Sequence, residues 1–127
     1  MKITIQTVPH DQQRYETVGD WVYDGENLTI TVSDMGYRRF NLLVGIHELI
    51  EAELCRLAGV DEATVTAFDV QYEADREKGL HAADSEPGDD RATPYRLQHA
   101  FATKIEKQLA DALFVDWNTY DKTVQSL

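Results

Sequence analysis

From Tyr37 to Ala58, the residues Phe40, Leu43, Val44, His47, Ile50, Glu51, Leu54 and Leu57 recur at the spacing of one helix face, and Gly59 follows as a stop. Leu42, Ile46 and Leu49 form a neighbouring stripe, so this helix is apolar round most of its circumference. A helix of that kind belongs in the middle of a fold, with other elements against more than one side. Ser33 and Asp34 stand just before it as candidate caps. Its few polar residues, His47, Glu48 and Glu51, therefore need a reason.

The rest of the chain supplies partners for this helix. Residues 2–8 place Ile3 and Ile5 on one face at period two, which predicts a half-buried strand ended by Pro9. Trp21-Val22-Tyr23 and Leu28 to Val32 flank Asp24-Gly25-Glu26-Asn27, the composition of a β-hairpin. A second helix is expected from Asp61 or Thr64 toward Lys78, with Val65, Phe68 and Tyr72 facing inward and Asp69 beside them. Residues 79–94 break the periodicity and read as a long loop. A third helix starts near Pro94, with Gln98, Phe101, Ala102, Ile105, Leu109 and Ala112 as its packing stripe. Trp117 and Tyr120 are placed to cover the edge of the core.

At 127 residues the chain is expected to form a single domain, residues 1–127. The expected fold class is α+β: a small N-terminal antiparallel sheet, a β-hairpin plus a strand, packed on the central helix with two further helices.

Net charge is −11, from 23 acidic and 12 basic residues, and this repels phosphate backbones and anionic lipid. Direct nucleic-acid binding is not expected; metal cations or a basic protein partner suit the charge. The start of the chain has no basic stretch followed by an apolar run, and no span is long enough for a bilayer, so a cytoplasmic location is expected. Cys55 is a lone cysteine on the central helix and reads as packing.

His47-Glu48-Leu49-Ile50-Glu51 puts His47 and Glu51 one helical turn apart on the same face. An imidazole and a carboxylate are ordinary ligands of a divalent metal, zinc first, while Glu48 is turned to act as general base toward a water on that metal. His99 on the third helix is the expected third ligand, with Asp69 in reserve. His81 lies in the long loop, where it could close over a site, and His10 follows Pro9 as a loop residue. The competing reading is an internal pair between His47 and Glu51 without a metal. The acidic run 84–90 does not have the ligand spacing of a calcium loop and reads as a turn.

The five residues 47–51 resemble the His-Glu-x-x-His helix of zincin metallopeptidases, with Glu51 where that family has its second histidine. The resemblance implies a small metal-dependent hydrolase. Glu48-x-x-Glu51 followed by Glu106 and Asp111 is similar to the acidic helices of MazG-type nucleotide pyrophosphohydrolases, although Gln108 occupies the position of their second glutamate. His47 to Ala52, Phe68-Asp69, Pro87 to Asp90, Pro94-Tyr95 and His99 to Thr103 together resemble uncharacterised small proteins of bacteriophages and prophages. That likeness implies a role inside an infected bacterium. With it comes the rival to an enzyme: a non-enzymatic acidic protein that engages a basic host protein.

Overall fold

The computed structural model describes residues 1–127. Three strands, β1 (Ile3–Val8), β2 (Gly19–Asp24) and β3 (Asn27–Ser33), precede four helices. These are α1 (Arg38–Ala58), α2 (Glu62–Glu77), α3 (Arg96–Ala112) and α4 (Trp117–Gln125). The class is α+β.

The sheet order is β1-β3-β2, with β2 antiparallel and β1 parallel to β3. The expected all-antiparallel sheet is thus a mixed one. A period of two assigns faces to a strand but carries no information on its direction, which here is set by the connection. Residues 9–18 carry the chain across the end of β3 and are pinned there: Gln13 donates to the carbonyls of Val18 and Thr31, and His10 Nδ1 lies 2.8 Å from Ser33 Oγ. The hairpin between β2 and β3 is as read. Gly25 has φ of +60° at the first of its two turn positions, where a type II′ turn favours glycine.

Leu28, Ile30 and Val32 are fully buried along the central strand, and Trp21 lies opposite Ile30. Each such side chain contributes roughly 1.5–3 kcal/mol by leaving water. Helix α1 packs on this sheet on one side and on α3 on the other. Gly45 permits the approach to the sheet, since a Cβ there would sit 2.8 Å from Ile5 and 3.7 Å from Val32. Gly59, with φ of +74°, ends α1 as expected. Ser33 and Asp34 do not cap it: Ser33 closes β3, and Asp34 accepts from Gly36 N and Asn41 Nδ2 in the turn before the helix. Leu57, expected on the inner stripe, is 86% exposed, because it lies about 200° round the helix from the fully buried Cys55.

Asp61 caps α2 by accepting from Thr64 N at 2.8 Å. The face of α3 matches the expected stripe only in part, in Ala102 and Leu109. His99, Ala102, Glu106 and Ala110 point inward, while Phe101 is 49% exposed and Ala112 lies at the surface. The tail forms a fourth helix that buries Tyr120. No helix is long and apolar enough to cross a membrane.

Candidate metal centre

The inward turn of α3 follows from what it meets. His47 and Glu51 on α1 and His99 and Glu106 on α3 are all buried at the contact between the two helices. Four ionisable side chains buried in one interface are unfavourable unless each is compensated by a partner.

The compensation is explicit. His47 Nε2 lies 3.2 Å from Glu51 Oε2 and 3.2 Å from His99 Nδ1, and His99 Nδ1 lies 3.1 Å from the same Glu51 oxygen. Three donor atoms of three residues thus face one point. His47, Glu51 and His99 could hold a metal ion. A cation bound tetrahedrally at about 2.0–2.1 Å would need donors roughly 3.3–3.4 Å apart, slightly wider than those present.

Each of these side chains is also held from behind. His47 Nδ1 is 2.8 Å from Glu106 Oε1, and Tyr120 donates to the other Glu106 oxygen at 2.5 Å. This leaves Nε2 as the His47 nitrogen turned to the centre. Trp21 Nε1 donates to Glu51 Oε1 at 3.3 Å, which leaves Oε2 for the centre. Outer partners of this kind fix ring orientation and raise the basicity of metal-binding histidines.

Protonation follows from the same contacts. Burial alone would lower the pKa of His47, but the hydrogen bonds with Glu106 and Glu51 outweigh it and hold the ring well above its ordinary value. His99 behaves alike: burial opposes the charge, Glu51 and Glu86 favour it, and the pKa rises to about 9. Burial would raise Glu51, yet the two histidines bring it down to about 2. Without a cation, protons therefore supply the positive charge between the helices, and a metal has to displace them.

Glu48 is placed differently. It lies against Gly19, where a Cβ would come within 2.6 Å of its side chain, and it lines a cleft of about 720 Å³ that also reaches His47, Glu51 and His99. Burial, with Glu51, Asp20 and Asp69 nearby, pushes its pKa well above the usual carboxylate value.

Asp69 does not join the triad. Its oxygens accept from Tyr95 at 2.5 Å and Tyr15 at 3.1 Å, and burial moves its pKa up to about 7. His81 stacks on Tyr72 with ring centroids 3.7 Å apart, which fastens the loop to α2 and leaves the ring outside the group. His10 serves the β1–β2 connection, bonded to Ser33 and Glu16. Cys55 is fully buried, and burial pushes its thiol up to about 12, so it is packing.

Sequence reasoning named Glu106 and Tyr120 without their role as supports of His47. The available signal was the seven-residue step from His99 to Glu106, two turns along one helix face. No protein family, curated protein or solved structure matches this chain.

Proposed function

We propose that this protein is a small metal-dependent hydrolase whose cation, zinc by its donor set, is held by His47 Nε2, Glu51 Oε2 and His99 Nδ1. The observation that carries this reading is the mutual approach of those three atoms to 3.1–3.2 Å at the edge of an open cleft. Two nitrogens and a carboxylate oxygen match the three-ligand sets of catalytic zinc, which leave one position for water or substrate. A cation there would acidify a bound water and polarise a substrate oxygen.

Glu48 is the general base in this reading. It follows His47 directly on α1 and lines the same cleft as the three ligands. Burial raises the pKa of this carboxyl, which makes its ionised form a stronger base, suited to take a proton from water and return it to a leaving group. Glu106 and Tyr120 orient His47, and Trp21 orients Glu51.

The cleft also disfavours a class of substrate. Thirteen carboxylates line it against Arg76 and Lys107, so phosphate esters and nucleotides are repelled and amide or amine-bearing molecules are tolerated. A MazG-like activity on nucleotides is the weaker reading for that reason.

Protein purified without chelator should contain about one transition metal per chain, and His47→Ala should lose it. Glu48→Gln should keep the metal and abolish hydrolysis of peptide or ester probes. Absence of metal, with no zinc binding and no rise in melting temperature on adding zinc, would leave the four residues as an internal ion-pair network and end the enzyme reading.

A further inference from the structure

His99 has a second ring nitrogen that the centre above does not use. Nε2 is buried, and it makes no hydrogen bond. It faces Glu86 Oε2 at 3.4 Å and Asp89 Oδ1 at 3.5 Å, on a side chain only 10% exposed. The two carboxylates and the nitrogen lie within 4.8 Å of one another.

The local fold is built around this edge of the ring. Pro87–Asp89 form a 3-10 turn packed between α2 and α3. With three residues per turn, Glu86 and Asp89 come to the same side. Gly88 between them is buried against His99, and any Cβ there would collide with the imidazole. The turn thus lays two carboxylates over a nitrogen that has no other partner. Glu86 is half-buried and Asp89 exposed, so water can complete a coordination shell from outside.

We infer that Glu86, Asp89 and His99 Nε2 form a second divalent-cation site, and that His99 joins it to the first through its two ring nitrogens. Two carboxylates and one imidazole suit zinc or manganese. Bridging requires Nε2 to be free of its proton, which passes to solvent as the cation enters. Ions on opposite edges of an imidazole lie farther apart than the roughly 3.5–4 Å of two-metal sites that clamp one substrate oxygen. The second cation therefore fastens the 79–95 loop to α3 and polarises His99; it is not a second Lewis acid on the reacting group.

The test is zinc stoichiometry by calorimetric titration and elemental analysis after dialysis, with folding of each variant checked by circular dichroism. Wild type should bind two ions per chain, the double variant Glu86→Gln/Asp89→Asn one, and His47→Ala one. Both substitutions at the turn lie near the surface, so the double variant should fold. A wild-type stoichiometry of one that survives in the double variant overturns the second site and leaves the first standing. A wild-type stoichiometry of one that falls to zero in the double variant and stays at one in His47→Ala upholds the second site and overturns the first. Copper(II) gives an independent readout of the bridge: two ions sharing one imidazolate couple magnetically, and the electron paramagnetic resonance intensity per ion falls at two equivalents. Full intensity at two equivalents overturns the bridge.

Discussion

Helix α1 has two kinds of neighbour, and the contrast between them separates what holds this fold together from what it is shaped to do. Against the central strand it is dry: Gly45 meets Val32 and Ile5, and the strands bring Leu28, Ile30 and Trp21 to the same core, with Glu48 and Glu51 reaching only the β2 edge. Against α3 it is ionic, with His47 and Glu51 set among His99 and Glu106. Apolar contact alone would have joined α1 and α3 at lower desolvation penalty, because replacing buried ion clusters by well-packed apolar groups is often neutral or stabilising. The ionic side is therefore best understood as a site, and the dry side as its foundation.

Four substitutions would break or sharpen this division. Ile30→Ala, on the dry side, should destabilise the protein by about 2–5 kcal/mol in denaturant unfolding while leaving zinc stoichiometry unchanged. A parallel loss of metal in folded protein would show that the two sides are not separable. Glu106→Gln should weaken zinc binding by roughly tenfold or more, since outer partners of metal-binding histidines act on affinity at that scale. An unchanged affinity would reduce Glu106 to a packing residue.

Asp69→Asn probes the neighbouring tyrosine-bonded carboxyl. The Asp69 pKa is about 7 in the folded chain and 3.8 ordinarily, so its favourable contribution is complete below about 3.8 and lost as pH rises through 7. Between pH 5 and 8 the wild type should lose roughly 2–3 kcal/mol relative to the variant. Parallel curves of melting temperature against pH for the two proteins would contradict the raised value. Tyr120→Phe should have the smallest effect, about 1 kcal/mol in stability and a few-fold in zinc affinity, because it removes one hydrogen bond two steps from the centre. A loss in affinity equal to that of Glu106→Gln would move Tyr120 into the same rank as its partner.

Much of the arrangement could be read from residues alone where periodicity and polarity agreed. The stretch 37–58 announced α1 because its apolar positions and Gly59 stop are consistent with one another, and Asp24 to Asn27 announced the hairpin by its turn chemistry. The meeting of His47, Glu51 and His99 could be guessed from polar residues on otherwise apolar faces. The whole inward face of α3 was less legible: His99 and Glu106 share a side and Ala102 is buried as expected, but Phe101, expected in the packing stripe, is 49% exposed. A site that buries charge inverts the pattern by which burial is usually read. The direction of β1 was out of reach because it depends on a crossing by residues 9–18 that leaves no periodic trace. Which side chain supports which is likewise fixed only by the folded chain; Tyr120 is 14 residues from Glu106 and on another helix.

The central position of β3 has a consequence for assembly. Its hairpin with β2 closes over a two-residue turn and can form within microseconds, whereas β1 adds in parallel from 25 residues away after the connecting segment has wrapped the strand end. Until it arrives, one side of β3 offers a row of free amides and carbonyls to any passing strand. In concentrated refolding mixtures, the first strand of a second molecule can take that place, so the N-terminal segment is the point at which two copies would exchange parts.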